Sequence, residues 1–206
     1  YIVTWEELND NLYEVVGKRR SQALAFSMRQ TKENVAANVY NRAFTAAYAG
    51  GDGVELCAST HPSSAGTQSN IMAVAADLSE TAIEDMIIQI GQATNDRGMK
   101  ISLMPQSLIV PWALWFEANR ILKSVLQNDT ALNAINVLKA TGALPGGIVQ
   151  NHYLSDADNW FIRTNVPRGM IHYERNKIAF EQDNDFDTKN AKAAAIERYT
   201  FGWTDW

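Results

Sequence analysis

Apolar residues recur at helical spacing along the first quarter of the chain. Thr4 and Glu7 form a capping box, in which each side chain satisfies a backbone N–H of the first helical turn. The apolar residues that recur at helical spacing are Leu8, Leu12, Val15, Val16, Ala23, Phe26, Val35, Val39, Ala43 and Ala46. Glycine-rich residues 50–53 end this pattern. The spacing predicts one long helix over about residues 5–48, with a break near Gly17.

The middle of the chain shows both helical and strand patterns. A second helix is predicted to begin around residues 77–80 and to end near 95–98, with an apolar stripe of Ile83, Met86, Ile87 and Ile90. Two short strands are predicted at residues 101–103 and 108–110. Pro111 suits the first position of a third helix, because its missing N–H is not needed there. The residues that this helix is predicted to bury are Trp115, Ala118, Ile121, Leu122 and Val125.

Strand patterns dominate the last third of the chain. Residues 128–147 are polar and glycine-rich, and they separate the helices from the strands. Strands are predicted at residues 160–163, 171–174 and 178–180. The clearest strand is terminal, with alternating positions filled by Tyr199, Phe201 and Trp203 on one face and by Arg198, Thr200, Gly202 and Thr204 on the other. Helices followed by antiparallel strands predict an α+β fold.

Composition and charge narrow the classes of function. The chain has 46% hydrophobic and 20% charged residues, as in globular proteins with a packed core. The net charge of −5 argues against a dedicated nucleic-acid binder, which needs cationic residues to neutralise phosphates. Six tryptophans favour association surfaces. Nothing resembles a membrane span. The chain begins with Tyr1 rather than Met, so we expect a fragment or a processed product.

Candidate catalytic and metal-binding residues are weak. Cys57 and His61 could form a nucleophile and its base, but a half-buried thiol and a turn histidine are the simpler interpretation. The residues 183–187 begin like a calcium loop, yet Thr188 and Ala194 occupy the places where an EF-hand needs Gly and Glu. We therefore expect no catalytic residue, no cofactor and no metal site.

Several motifs, in order along the chain, carry a family resemblance. Residues 55–62 followed by Ser69 and Asn70 resemble the "L-x-S-x-x-H-P … N" segment of phage and Mu-like prophage major head subunits. Residues 98–111 are similar to their "G-x-x-(L/I)-x-x-x-P-x-x-L-(I/V)-V-P" signature, and residues 118–124 to the helix pattern that follows it. The chain thus resembles a tailed-phage major capsid protein of the HK97-like fold, and the resemblance covers nearly the whole chain.

The resemblance implies two domains, built from three segments of the chain, and a structural role. Residues 1–53 would form the spine helix of a peripheral domain, residues 54–168 mainly an axial domain, and residues 169–206 the returning strands of the peripheral sheet. The N-terminal arm and the extended loop of the family have no counterpart before Tyr1. The implied function is a subunit of an icosahedral capsid, built from pentamers and hexamers around a DNA genome. We expect it in the virion, assembled in the bacterial host cytoplasm.

The resemblance also implies contact sites and partners. The tip of the axial domain is expected at residues 128–147 and a second contact at the acidic turn, residues 181–190. The candidate interface residues are Asn128, Asp129, Thr130, Thr141, Gly142, Gly146, Gly147, Asp183, Asp185, Asp187 and Lys189. Beyond copies of itself, the expected partners are scaffolding, portal or decoration proteins and non-specifically contacted DNA, with no membrane. The alternatives are an encapsulin-like shell around protein cargo and, from another class, a Cys/His enzyme.

Overall fold

Helices and strands are mixed along the chain, in agreement with the predicted α+β composition. The computed structural model describes residues 1–127 and 134–206. The strands form two small three-stranded sheets. The chain divides into two compact units, of which unit 1 comprises residues 1–36 and 171–202 and unit 2 comprises residues 37–170 and 203–206.

The N-terminal part of unit 1 is helical after one short strand. Its elements are β1 (Ile2–Val3), α1 (Trp5–Asn9), a π-helical turn (Tyr13–Gly17) and the part of α2 (Lys18–Asn41) that precedes residue 37. The predicted capping box begins α1, because the Thr4 hydroxyl accepts from the Glu7 N–H at 3.3 Å and the Glu7 carboxylate accepts from the Thr4 N–H at 3.0 Å. The Glu7 carboxylate also binds the Arg20 guanidinium at 2.8 Å. The break predicted near Gly17 is present as the end of the π-helical turn.

Helix α2 is long, as predicted, but it ends earlier than the apolar pattern does. It has 24 residues and stops at Asn41. The Asn41 side chain donates to the carbonyl of Tyr153 at 3.1 Å and accepts from the N–H of Ser155 at 3.0 Å. These contacts with a distant loop coincide with the end of the helix, and the chain then continues as turns. The prediction that residues 50–53 stop the helix is wrong.

The apolar stripe predicted for the long helix is not the face that packs. Phe26 is 68% exposed and Val15 is 63% exposed, and Leu12 and Val35 are exposed as well. The half-buried side of α2 within unit 1 carries instead Ser21, Leu24, Met28, Lys32 and Ala36. These residues follow the spacing of three to four that marks one helix face.

The sheet of unit 1 is a long hairpin with one short added strand. Strands β5 (Met170–Asn184) and β6 (Ala191–Trp203) are neighbours, and β1 pairs antiparallel with β6. The predicted alternation is present in β6, where Tyr199 and Phe201 are half-buried and Arg198 and Thr200 are exposed. The two strands predicted at 171–174 and 178–180 are one continuous strand, β5.

The core of unit 2 surrounds a central strand. Strand β2 (Pro105–Val110) pairs parallel with β3 (Ile148–Gln150) and antiparallel with β4 (Phe161–Thr164). Helices α3 (Glu80–Gly91), α4 (Trp115–Lys123) and α5 (Val137–Thr141) complete the unit. The main core cluster of buried residues consists of Leu78, Ile83, Leu108, Val110, Ala118, Ile121, Leu138 and Leu144. The strand predicted at 108–110 and the stripe of the second helix thus meet in one core.

Three predicted boundaries in unit 2 are wrong. Helix α3 ends at Gly91 rather than near residues 95–98. Residues 101–103 form no strand; only an isolated bridge, between Thr94 and Lys100, lies nearby. The third helix begins at Trp115 rather than at Pro111, because residues 112–114 form a turn first.

In the described ranges, no helix has the length and the apolar composition needed to cross a membrane.

Candidate functional site

The second half of the glycine-rich tract packs into unit 2 around one buried asparagine. Asn136 is 1% exposed and caps α5, its side-chain oxygen accepting from the Lys139 N–H at 3.1 Å. Its amide donates to the carbonyl of Ile121 and to the hydroxyl of Ser124, the latter at 3.0 Å. Leu138 joins the core. The prediction of a polar, flexible tract is therefore wrong for residues 134–147.

The predicted interface residues of this tract have clear intramolecular roles. Thr141 is exposed and bonds back to the carbonyl of Val137 at 2.7 Å. Gly142 ends α5 with φ +62°, a conformation that favours glycine. A Cβ at Gly146 would lie 2.8 Å from the carbonyl oxygen of Gln106. The remaining glycine, Gly147, accepts from the N–H of Leu108, while Asn128, Asp129 and Thr130 lie outside the described residues.

Exposed apolar side chains flank the tract, and the sequence analysis missed them. Val125, predicted to be buried, is 69% exposed, and Ile135 is 66% exposed. An isolated bridge joins Leu126 to Ile135, so the two flanking segments lie side by side. Other exposed apolar residues near these segments in sequence are Trp112, Phe116 and Val137. Clustered exposed apolar residues mark protein contact surfaces.

The acidic turn joins β5 to β6 in unit 1. The Asp185 N–H donates to the carbonyl of Asn190 at 2.9 Å, which closes the turn. The Asp185 carboxylate pairs with Lys192 at 2.5 Å, and the hydrogen bond from this ammonium holds the pKa of Asp185 below its usual range. Lys189, in the same turn, adopts a left-handed conformation with φ +58°. Asp183 and Asp187 are exposed.

An aromatic residue stands at the tip of this turn. Phe186 is 93% exposed, the largest exposed fraction among the large apolar residues of the described chain. In the sequence it lies between Asp185 and Asp187, so an apolar ring is flanked by two residues that carry carboxylates. Such an exposed ring gives an interface an anchor at little cost in conformational entropy. The sequence analysis predicted the acidic turn but not this residue.

The Cys57 and His61 pair lacks the properties of a catalytic dyad. Burial raises the pKa of the Cys57 thiol to about 12, so the thiol stays protonated at neutral pH. His61 is fully buried, its Nδ1 lies 2.6 Å from the Asp52 carboxylate, and its ring stacks on Trp206 with centroids 4.0 Å apart. The histidine therefore connects its loop to Asp52 and Trp206. It is more deeply buried than the turn residue that we expected.

The residues that carry the family resemblance in this loop hold its backbone. The Asn70 side chain accepts from the N–H of Ala58 at 2.9 Å and donates to the carbonyl of Leu56 at 2.6 Å. His61 and Gln68 exchange two backbone hydrogen bonds, each at 2.9 Å. These contacts tie both ends of the loop together, so the motif is explained by loop geometry.

A cavity of about 700 Å³ lies within unit 2. Its lining includes Tyr40, Met86, Cys57, Trp160 and Phe161. The ring of Tyr40 lies 5.1 Å from that of Phe161. Among the residues that the structure describes, no group of three or more His, Cys, Asp or Glu side chains is placed to hold a metal ion.

Comparison with known proteins gives one match. A family model described as phage capsid protein matches residues 1–206, the whole chain. No curated protein and no solved structure matches.

Proposed function

Since the chain belongs to the phage capsid protein family, a structural kind of protein, we propose that it assembles with copies of itself into the pentamers and hexamers of an icosahedral shell around a DNA genome. The observation that carries this proposal is the family match over all 206 residues. The match makes the protein a virion component.

The architecture is compatible with this proposal. The protein has a long helix, α2, and two small sheets, and its chain crosses between two compact units. We assign the fold to the HK97-like type, with residues 1–53 and 169–206 in a peripheral domain and residues 54–168 mainly in an axial domain. The motifs at residues 55–62 and 98–111 support the proposal that the protein is of the Mu-like prophage head subunit type.

Two surfaces are proposed as contacts between copies. The first consists of residues 128–147, of which Ile135 is exposed, together with the exposed Val125 just before them, and it would face symmetry mates in a pentamer or hexamer. The second is the acidic turn, residues 181–190, which would lie where neighbouring capsomers meet. A shell subunit contacts many copies of itself, so modest contacts at several surfaces add up to a stable assembly.

The proposed partners follow from the role of a shell. Scaffolding, portal or decoration proteins would bind the outer or inner wall, and packaged DNA would be contacted without sequence preference. Assembly would take place in the cytoplasm of the bacterial host. The net charge of −5 limits the attraction of the wall for DNA.

The test is the size and the content of the particles that the protein forms. Sedimentation velocity and negative-stain electron microscopy should show closed particles in the megadalton range. A protein that stays monomeric under all assembly conditions contradicts the proposal. Particles filled with protein and free of nucleic acid would instead indicate the encapsulin-like alternative.

A pair of matched variants tests the first contact surface. Val125→Asp places a charge on the proposed contact, whereas Val74→Asp places it on another valine of unit 2 that is 78% exposed. We expect Val125→Asp to lower the particle yield at least about tenfold and Val74→Asp to change it less than about threefold. Equal yields from the two variants would contradict a contact between copies at Val125.

A further inference from the structure

The two faces of the unit 1 sheet can be told apart by their contacts with α2. Lys32 of α2 forms ion pairs with Glu174 of β5 and with Glu197 of β6, and it lies 5.0 Å from the ring centre of Tyr199. The ring of His172 stacks on that of Phe201 with centroids 4.6 Å apart. These side chains therefore occupy the face that α2 covers.

The opposite face of the sheet carries exposed cations. Because side chains alternate along a strand, Arg175 and Lys177 of β5 and Arg198 of β6 point away from α2. All three are exposed, and within the described residues none of them forms an ion pair. Tyr173 and Ile196, 51% and 50% exposed, share this face. These five residues are called the basic face below.

The acidic turn lies at the other end of the same hairpin. Glu181, Asp183 and Asp187 are exposed there, and Lys192 neutralises only Asp185. Asp183 lies six positions after Lys177 along the extended strand β5, a distance of about 20 Å. The acidic turn therefore cannot reach the basic face of its own chain while the hairpin is formed.

We propose that the acidic turn of one copy docks on the basic face of a second copy. The carboxylates of Asp183 and Asp187 pair with the cations of the basic face, and Phe186 packs against Tyr173 and Ile196. This inference rests on the proposed self-assembly and names the partner surface for the acidic turn. Each copy contributes a turn to one neighbour and a face to another, so the contact is heterologous, the type found in cyclic assemblies such as pentamers and hexamers.

Two features favour a second copy over nucleic acid as the occupant of the basic face. Phosphates would neutralise the three cations but would leave the apolar surface of Tyr173 and Ile196 without a partner. The acidic turn offers both carboxylates and an exposed ring, so it matches the basic face in charge and in apolar chemistry. The overall charge of −5 also makes the protein a poor ligand for DNA.

Charge exchange between the two surfaces tests this contact. One variant carries Arg175→Glu and Arg198→Glu, a second carries Asp183→Lys and Asp187→Lys, and a third combines all four changes. We expect each double variant to lower the particle yield at least about tenfold, and the fourfold variant to recover it to within about threefold of the unchanged protein. The control is Lys18→Glu with Arg29→Glu, two exposed cations of α2, which should leave the yield within about threefold.

The outcomes separate this inference from the proposed function. If the unchanged protein forms no particles, the proposed function fails and the contact with it. The contact is refuted if the unchanged protein forms particles but the fourfold variant stays as defective as either double variant. This conclusion requires that the thermal midpoint of the unassembled fourfold variant equals that of the unchanged subunit. Normal particles that lose nucleic acid in the Arg175→Glu and Arg198→Glu variant would identify the basic face as a phosphate-binding surface and would also refute it.

Discussion

Two buried polar side chains, Asn136 and His61, hold the loops of unit 2 in place. Each is nearly inaccessible to solvent, and each has hydrogen-bond partners from other segments of the chain. From the sequence, His61 was predicted in a turn and Asn136 in a polar, glycine-rich tract between the helices and the strands, because loop residues are commonly polar. Their burial depends on which distant segments meet them, and no local pattern reports that.

Replacing Asn136 with alanine should destabilise the subunit. The change removes the cap of α5 and leaves the carbonyl of Ile121 without its partner, which typically costs about 1–3 kcal/mol. Urea denaturation of the unassembled subunit measures the loss. The control is Asn34→Ala on the exposed side of α2, expected within about 0.5 kcal/mol of the unchanged protein. Equal stability of the two variants would contradict the role given to Asn136.

The thiol of Cys57 should be almost unreactive in the folded protein. Because burial raises its pKa from 9.0 to about 12, the folded protein keeps the thiol protonated at a pH where the unfolded chain already forms some thiolate. Alkylation by iodoacetamide at about pH 8 should be at least about a hundredfold slower than in urea-unfolded protein. Rapid alkylation without unfolding would show an accessible, ionised thiol and would reopen the enzyme hypothesis.

At the scale of elements, strongly periodic segments were predictable and their ends were not. The start of α3 after its cap, Ser79, lies within the predicted range 77–80, and the apolar stripe of α3 was also predicted, because both are local features. The end of α2 depends on Asn41, which bonds to a loop more than a hundred residues away. The exposure of Phe26 and Val125 was missed because exposed contact residues and core residues are equally apolar. The acidic turn was predictable from its composition, whereas its pairing with Lys192 depends on strand register.

The β5–β6 hairpin should contribute to assembly more than to subunit stability. Phe186 is almost fully exposed, so Phe186→Ser should leave the thermal midpoint of the unassembled subunit within about 2 °C of the unchanged protein. The same variant should lower the particle yield at least about fivefold, since it removes the apolar part of the proposed contact. Phe161→Ser, at a half-buried ring beside Tyr40, serves as the opposite control and should lower the midpoint clearly. A fall in the midpoint for Phe186→Ser would make this ring part of the subunit's own packing.

At the scale of the whole molecule, local charge complementarity opposes net repulsion. Copies with a charge of −5 repel each other, whereas the basic face attracts the acidic turn at short range. Salt screens both effects, with a Debye length of about 10 Å at about 0.1 M. The order of motifs along the whole chain indicated the capsid family. The local attraction could not be predicted from the sequence, because it depends on how the strands place the cations on one face of the sheet.

Removing the turn charges should make assembly accelerate more strongly with added salt. The variant carrying Asp183→Asn and Asp187→Asn lacks the proposed attraction but retains most of the net negative charge, so its assembly should accelerate as salt is raised. The unchanged protein should show a smaller acceleration or a slowing, because salt also weakens its attractive contact. Light scattering at about 0.05 M and about 0.5 M NaCl gives both rates. Identical salt responses would argue against an electrostatic role of the turn.

The position of β5 at the edge of its sheet has a consequence for the subunit before assembly. In the order β1-β6-β5, one side of this 15-residue strand has no neighbouring strand within the described chain. Such an edge is a template for uncontrolled pairing and aggregation. Its charged residues, among them Glu174, Arg175, Lys177 and Glu181, counter this tendency, as charges on edge strands commonly do. Before assembly, the charges on β5 therefore help to keep the subunit soluble by opposing uncontrolled pairing at the open strand edge.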